Sequence, residues 1–294
     1  MFVKSLHIYP VKSLGGLSLD EVELEARGPK NDRRFMIVHA DGEREGKFVT
    51  QRYKGAEKLA IVRPSFHGSV LNLAFPDGQS CDVIPPEPEA EILIRKLFSH
   101  DMEVQDCGEG AARVLSDFLG ISVRLMYQPD FVNRQADPKF AKHGDTTSLA
   151  DGFSLLVTNQ RSLEELNKHI APEKQVNMAR FRPNIILDGL EPFEEESVKS
   201  LRIGDVELEM VKPCTRCQVP NVNQETGEVA NDEPGATLRK LRFGSDKEMG
   251  LTGMFFGMNA QPRKLGRLSV GDEVEILEKR TPFSAVQQVK LGYN

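Results

Sequence analysis

The sequence predicts an α+β protein that is mainly β, with a small N-terminal β-barrel-like domain followed by a β-barrel domain that has a few helices. Short apolar stretches recur along the chain, several with period-two alternation, and Asp-Gly pairs follow two of them. The length of 294 residues is sufficient for two ordinary domains. We expect the first domain at 1–130, a linker or loop at 131–150, and the second domain at 151–294.

The first third of the chain is typical of short strands joined by tight turns. The opening FVKSLHIYPVKS is a strand that runs into a glycine turn, and LSLDEVELEA alternates apolar and polar residues. The apolar run RFMIVH ends at Asp41-Gly42, and the run LNLAF ends near Asp77-Gly78. The Asp-Gly pair is a strong hairpin signal, so each pair predicts a turn between two strands.

Helices are expected at 90–98 and at 110–119, where Gly120 would end the second helix. The segment 127–151 is polar and rich in turn residues, which indicates a linker or a loop over a site. The strand SLLVTN and the helix SLEELNKHI open the second domain, and further strands follow in PNIILDG, SLRIGDVELEMVKP and VGDEVEILEK.

The composition excludes several classes of function. A net charge of −6 disfavours a duplex nucleic-acid binder, but it allows a local basic pocket for a small anion. No apolar run approaches the roughly 18 residues of a bilayer span, and the start lacks the features of a secretory signal, so we expect no membrane anchor. Four cysteines are too few for a disulfide scaffold. These features favour a cytoplasmic location, with mitochondrial association left open.

The sharpest local motif is a Cys-x-x-Cys pair formed by Cys214 and Cys217. It could be half of a zinc site, a thioredoxin-like dithiol, or two buried structural thiols. A zinc site needs two more ligands, and the residues after the pair are unsuited to the helix that a redox dithiol requires. Arg216 between the cysteines favours a thiolate, which is a soft ligand for molybdenum, copper or an iron–sulfur centre.

Several polar clusters could bind an anion. Ser162 and Glu165 have the spacing of a capping box, which predicts either a plain helix start or an anion site at that helix end. Arg180 and Arg182 would lie on one side of a strand, either at the surface or gripping a phosphate or carboxylate. The segments Lys12-Ser13 and Asp32-Arg33-Arg34-Phe35 allow the same two interpretations.

With these motifs in view, the chain resembles the MOSC family, including the mitochondrial amidoxime-reducing component and its bacterial counterparts. The likeness spans nearly the whole chain, and the order and spacing of the motifs together make it specific. The matching motifs are YPVKS at 9–13, NDRRF at 31–35, TQR at 50–52, FRPN at 181–184, IGDV at 203–206, CTRC at 214–217 and GDEV at 271–274.

The resemblance implies a molybdopterin cofactor (Mo-molybdopterin) between the two domains. Cys217 would be its molybdenum ligand and the catalytic residue, whereas Cys214 corresponds to a residue that is not a ligand. Lys12, Ser13 and Arg33 match positions from which the N-terminal domain holds the cofactor. The residues that match positions around the pterin and phosphate are Asn159, Ser162, Arg182, Asn184, Thr215 and Arg216.

The resemblance also implies a reductase of small N-hydroxylated or otherwise N-oxygenated compounds. We expect an external electron donor, either a cytochrome b5 with its reductase or a flavoprotein, because the sequence shows no second redox group. The main alternative is a carrier of the cofactor, or of sulfur as a Cys217 persulfide, without turnover; a structural protein without metal is the third. The chain has QVPN at 218–221 where the family often has I-x-T-T, a difference beside the metal ligand that bears on substrate preference.

Overall fold

The computed structural model describes residues 1–292. Strands dominate this part of the chain, which confirms the predicted α+β, mainly β class. None of the helices within 1–292 combines the length and the apolar character that a bilayer span requires. The α-helices are α1 (Glu109–Leu119), α2 (Gln160–Asn167), α3 (Gly235–Leu241) and α4 (Ser284–Gln287). Short 3-10 helices lie at Gly42–Arg44, Glu57–Ile61, Pro172–Lys174, Met178–Phe181, Glu194–Ser197 and Val219–Asn221.

The N-terminal part contains several small antiparallel sheets. The strands of the first half are β1 (Phe2–Ile8), β2 (Leu17–Leu19), β3 (Glu21–Glu25), β4 (Gly28–Pro29), β5 (Phe35–His39), β6 (Arg63–His67), β7 (Val70–Ala74), β8 (Ser80–Val83), β9 (Leu93–Leu97), β10 (His100–Asp106) and β11 (Val123–Tyr127). One sheet has the order β6-β7-β8 and another has the order β5-β11-β10-β9. Strand β7 pairs with β8 through Leu73 and Cys81, which confirms the turn predicted at Asp77-Gly78.

The helix predicted at 90–98 is wrong, because this segment contains the edge strand β9. Leu97 is buried whereas Ile94 is 52% exposed, so the side chains alternate with the period of a strand. Pairing with β10 supplies the backbone hydrogen bonds that a helix would otherwise satisfy internally. The helix predicted at 110–119 is confirmed as α1, which ends at Gly120 in the left-handed conformation.

The C-terminal part is built on one large sheet with nine strands among the described residues. The strands of the second half are β12 (Arg134–Gln135), β13 (Thr146–Thr147), β14 (Leu155–Asn159), β15 (Ile185–Asp188), β16 (Val198–Ile203), β17 (Val206–Arg216), β18 (Phe243–Asp246), β19 (Leu251–Lys264), β20 (Arg267–Ser269) and β21 (Val274–Lys279). The order of the large sheet is β2-β1-β15-β14-β19-β17-β16-β21, and β18 pairs with β19. A bridge between Phe2 and Glu273 and a 3.0 Å bond from the Val274 amide to the Met1 carbonyl bring β21 next to β1 and close the sheet into a barrel.

The first two strands of the chain, β1 and β2, belong to the large C-terminal sheet, where β1 pairs with β15. Strand β3 pairs with β20 from the C-terminal half in a separate small sheet. Val3 and Leu6 of β1 are buried in the same core as Leu208 and Met258, and each such side chain contributes about 1.5–3 kcal/mol by burial. The chain then leaves this sheet to form the N-terminal sheets. The core of the barrel therefore includes residues of β1 and β3, whereas the N-terminal sheets have cores of their own.

A buried polar cluster packs against the outside of the barrel. Glu195 and Glu196 are both fully buried, and Arg242, which is also fully buried, forms an ion pair with Glu196. The Ser162 hydroxyl donates a 2.8 Å hydrogen bond to the Glu195 carboxyl group. Burial, together with the neighbouring Glu196, raises the pKa of Glu195 to about 8. Glu195 is therefore mostly protonated at neutral pH.

This raised pKa predicts a fall in stability with rising pH. Between the unfolded pKa of about 4.3 and the folded pKa of about 8, Glu195 carries a proton in the native chain but not in the unfolded chain. The stability that this proton gives the native chain is therefore lost as the pH rises through that range, and it is gone above about pH 8. In the parent, the free energy of unfolding should fall between about pH 5 and pH 9. In Glu195→Gln this fall should be smaller by more than about 1 kcal/mol. Urea unfolding across this range measures the effect. The exposed Glu164→Gln should leave the slope unchanged, and an unchanged slope in Glu195→Gln would contradict the assignment.

Candidate functional site

A cavity of about 340 Å³ lies between the N-terminal part and the ends of the barrel strands. Residues from both parts of the chain form its wall, and they include Asp151, which follows the 131–150 segment. Eight of the ten predicted site residues line it: Lys12, Ser13, Arg33, Arg182, Asn184, Thr215, Arg216 and Cys217.

The end of β17 carries the two cysteines into this cavity. Cys214 is half-buried, whereas Cys217 follows the last residue of the strand and is exposed. The Arg216 guanidinium lies between them in sequence, with Nη1 3.0 Å from the Cys214 sulfur and Nη2 donating a 2.7 Å bond to the Phe181 carbonyl. Its Nε atom is buried and has no hydrogen-bond partner among the described residues. Arg216 is therefore held in place with one donor unused.

The cysteines in the described part of the chain are free thiols, and no three His, Cys, Asp or Glu side chains there converge as a metal site. Cys217 is followed by a 3-10 helix at Val219–Asn221 and not by an α-helix. This agrees with the expectation that the pair does not open a helix as a redox dithiol would.

Arg33 joins the N-terminal part to the barrel. Its Nη1 donates to the Asp32 carboxylate at 2.7 Å and to the Asn184 side-chain oxygen at 3.1 Å. Its Nη2 donates to the Arg182 carbonyl at 3.2 Å. Asn184 is almost fully buried and donates to the His7 carbonyl at 3.2 Å. These contacts join two segments that are far apart in sequence, since Arg33 and Asn184 are separated by 151 residues.

A buried tyrosine supports the two central arginines. The guanidinium carbons of Arg33 and Arg182 lie 4.4 and 4.2 Å from the centre of the Tyr9 ring. Burial raises the pKa of Tyr9 to about 12, so its hydroxyl stays protonated. Burial lowers the pKa of Arg182 to about 10, which still leaves this side chain charged at neutral pH. Arg182 also donates to the Leu14 carbonyl at 2.6 Å and to Gln224 at 3.1 Å.

Three residues on the cavity wall adopt the left-handed conformation, which is unfavourable for residues other than glycine. Ser13 has a φ of 73°, Arg33 of 48° and Arg182 of 56°. Each such residue costs on the order of 1 kcal/mol or more, and it persists only where surrounding contacts fix it. Here the hydrogen bonds of the two arginines, and a 3.1 Å bond from the Ser13 hydroxyl to the Val49 carbonyl, provide those contacts.

Lys12 forms an ion pair with Asp151 on the cavity wall, and it also donates a 3.1 Å bond to the Leu149 carbonyl. Burial lowers the pKa of Lys12, although Asp151 opposes this. Desolvation would raise the pKa of Asp151, but Lys12, assisted by Arg33 and Arg216, lowers it to about 2. The Asp151 side chain is nevertheless 75% exposed, so solvent screens the pair and it contributes little to folding stability.

The charges on the cavity wall are strongly unbalanced, although the whole chain has a net charge of −6. Five cationic side chains line the cavity against one acidic side chain, so the cavity attracts an anion. The cationic residues are Lys12, Arg33, Arg52, Arg182 and Arg216, and the acidic residue is Asp151.

The structure places two predicted site residues elsewhere. Asn159 is the N-cap of α2, where its side chain accepts from the Arg161 amide at 3.2 Å. Ser162 lies inside α2 and bonds to Glu195 in the buried cluster. The capping box predicted for Ser162 and Glu165 is therefore wrong. Asparagine is among the best N-cap residues, so the helix begins earlier than we predicted.

The strand predicted around Arg180 and Arg182 is also wrong. Residues Met178–Phe181 form a 3-10 helix, and the left-handed Arg182 turns the chain into β15. The two arginines consequently point in different directions. Arg180 donates to the Asn221 carbonyl at 2.8 Å, whereas Arg182 lines the cavity.

Several residues of the site were not among those predicted from the sequence, and they include Tyr9, Gln51, Arg52 and Asp151. Tyr9 and Gln51 lie within the motifs YPVKS and TQR, which already pointed to these segments. Asp151 has no local signal, because it pairs with Lys12, which is 139 residues away.

The fold and the site define a mainly β protein that presents an exposed thiol in a cationic cavity. Sequence comparison assigns its family. The profile of the MOSC N-terminal beta barrel domain matches residues 1–122, and the profile of the MOSC domain matches residues 144–275. The chain belongs to the MOSC family.

Its curated relatives include mitochondrial amidoxime-reducing components. Component 1 from Mus musculus is 33% identical over 287 residues, which cover 94% of this chain and 82% of that protein. Component 1 from Homo sapiens is 30% identical with the same coverage, and component 2 from Macaca fascicularis is 31% identical over 92% and 82%. Among solved structures, the YUAD protein from Bacillus subtilis aligns over 93% of both chains with 10% identity and a TM-score of 0.42.

The different environments of the cysteines predict selective alkylation. Cys217 is exposed, whereas burial raises the pKa of the Cys107 thiol. Iodoacetamide at neutral pH should therefore modify Cys217 at least about 100-fold faster than Cys107 in the folded protein. Peptide mass spectrometry over time measures both rates, and Cys217→Ser should remove the fast site. Equal rates for the two thiols would contradict the described exposure.

Proposed function

We propose that the cavity binds Mo-molybdopterin with Cys217 as the molybdenum ligand, and that the protein reduces small N-hydroxylated compounds. The observation that carries this proposal is the single cavity shared by the exposed Cys217 and a wall of guanidinium groups. The names of the curated relatives, amidoxime-reducing components, support the reaction class.

The chemistry of the wall fits such a cofactor. A thiolate is a soft ligand that suits molybdenum, and planar guanidinium groups suit a phosphate. The buried, unused Nε donor of Arg216 is available to an acceptor on a bound group. We propose that the residues holding the cofactor are Lys12, Ser13, Arg33, Arg182, Asn184, Thr215 and Arg216. We leave Asn159 and Ser162 out of this set, because Asn159 caps α2 and Ser162 donates to the buried Glu195.

When bound, the cofactor supplies a molybdenum centre that receives electrons and removes oxygen from the substrate. Converting N–OH to N–H and water consumes two electrons and two protons, so we propose an external donor, either a cytochrome b5 with its reductase or a flavoprotein. The protein itself binds and orients the cofactor and the substrate. Asp151 is ionised at neutral pH and opposes the lowering of the Lys12 pKa by burial. Arg216 engages Cys214, which leaves the thiol of Cys217 for the metal.

We propose that the protein is located in the cytoplasm, because its free thiols suit a reducing compartment.

Loss of Cys217 should abolish metal binding. Protein produced in a molybdate-fed host that makes the cofactor should hold about one molybdenum per chain, and Cys217→Ala less than about a tenth of that. Cys214→Ala is the matched control and should keep most of the metal. Elemental mass spectrometry measures the content, and benzamidoxime reduction with a supplied donor measures turnover. Absence of molybdenum in the parent, when a known molybdoenzyme loads in the same host, would contradict the proposal. Metal without turnover would favour a carrier.

Substitution of Arg182 should lower the molybdenum content of the protein, whereas substitution of Arg180 should not. Each arginine donates to backbone carbonyls, but only Arg182 faces the cavity. Arg182→Gln should lower the molybdenum content about tenfold, as expected for the loss of a charge-assisted contact to an anion. Arg180→Gln should cost a similar amount of thermal stability but keep the metal. Equal molybdenum contents in the two variants would count against the anion-binding role.

A further inference from the structure

The tip of the β9–β10 hairpin reaches the cavity wall in an unfavourable backbone conformation. Leu97 pairs with His100, so Phe98 and Ser99 form a two-residue turn between the strands. Phe98 occupies the first position of this turn with a φ of 56°. The favoured two-residue turns place glycine, asparagine or aspartate at such a position, and a bulky residue with positive φ is rare. The local conformation therefore disfavours a phenylalanine here.

Packing inside the protein uses only part of the Phe98 side chain. Its ring centre lies 4.8 Å from that of Phe48, at an interplanar angle of 70°. The Phe48 amide donates a 3.1 Å bond to the Lys96 carbonyl, which holds the hairpin in place. Phe48 is buried, whereas Phe98 is 43% exposed. Both residues line the cavity that contains Cys217, so the hairpin brings an exposed aromatic ring to its wall.

Two cationic side chains lie close to the Phe98 ring. The Lys12 ammonium nitrogen is 5.4 Å from the ring centre, and the Arg52 guanidinium carbon is 5.9 Å from it. Arg52 lines this cavity and also a neighbouring one of about 380 Å³, whose wall includes Gln218 next to Cys217. Phe98 therefore lies close to the place where the two cavities meet.

Exposure divides the wall of the first cavity into a mouth and an inner part. Arg52, Phe98 and Cys217 are exposed, whereas Arg33 and Asn184 are partly or fully buried. In the proposed function the inner residues hold the cofactor, and Cys217 holds the metal at the exposed end. A substrate reaches the metal from that end, so the part of it that does not react would lie against the residues of the mouth.

We propose that Phe98 is a specificity-determining residue, whose ring packs against the flat part of the substrate at the cavity mouth. The inference rests on the proposed function. An exposed aromatic ring offers a planar group a stacking contact, and Phe48 supports this ring from the buried side. The contact also accounts for a phenylalanine at a position that favours glycine, since residues in unfavourable conformations cluster at binding sites.

The test compares benzamidoxime with acetamidoxime, which carry the same N–OH group and differ in a phenyl against a methyl substituent. Phe98→Gly removes the ring and suits the turn, so this variant should fold. It should raise the KM for benzamidoxime about fivefold, the effect of one lost aromatic contact, and leave kcat unchanged. The KM for acetamidoxime should change less than twofold. Phe98→Tyr keeps the ring and should retain the KM of the parent for benzamidoxime.

Phe131→Gly is the matched control, because Phe131 is also exposed but does not line either cavity in the described part of the chain. It should alter neither KM. If Phe98→Gly raises both KM values alike, or neither, the assignment is overturned. A lower molybdenum content in Phe98→Gly, with an unchanged KM in the loaded fraction, would place the ring against the cofactor and would also overturn it.

Calorimetric titration of the purified protein with benzamidoxime separates this inference from the proposed function. If neither amidoxime is reduced with a supplied donor, but benzamidoxime binds and Phe98→Gly weakens that binding about fivefold, the reaction is wrong and the role of Phe98 stands. If the parent shows no binding, or binds benzamidoxime no more tightly than Phe98→Gly does, the role of Phe98 is wrong.

Discussion

The contact on which the site depends is the one between Arg33 and Asn184. Arg33 comes from the N-terminal part, and Asn184 stands at the start of β15 in the barrel. The Asn184 oxygen also accepts from the Leu156 amide, and its nitrogen donates to the His7 carbonyl. One buried amide therefore fixes β1, β14 and the N-terminal part relative to one another. Together with the contacts of Arg182 to Leu14 and of Lys12 to Leu149, it holds the cationic groups and the cysteine motif in a common frame.

The site is held in an unfavourable local conformation by contacts from distant parts of the chain. The left-handed Arg33 and Arg182 both lie against Tyr9, and both are desolvated beside like charge. Such an arrangement of like charges is costly in the free protein, and a bound anion would offset that cost. The cavity thus has the properties expected of a preformed receptor for an anionic ligand, built into a chain that is acidic overall.

Much of this could be predicted from the sequence because its signals are local. The Asp77-Gly78 hairpin and the end of α1 at Gly120 follow from turn and cap chemistry. The motifs of both halves identified most residues of the cavity wall. The errors arose where tertiary contacts determine the secondary structure or the hydrogen-bond partner of a residue. Pairing with β10 makes a strand of 93–97, and a buried carboxyl group takes the Ser162 hydroxyl that we had assigned to a helix cap.

The most direct test of the account is anomalous diffraction at the molybdenum edge from crystals of the loaded protein. The account predicts one molybdenum peak in the cavity, within bonding distance of the Cys217 sulfur, with the remainder of the bound group next to Arg33 and Arg182. A peak bonded to Cys214, or a molybdenum site away from this cavity, would contradict it.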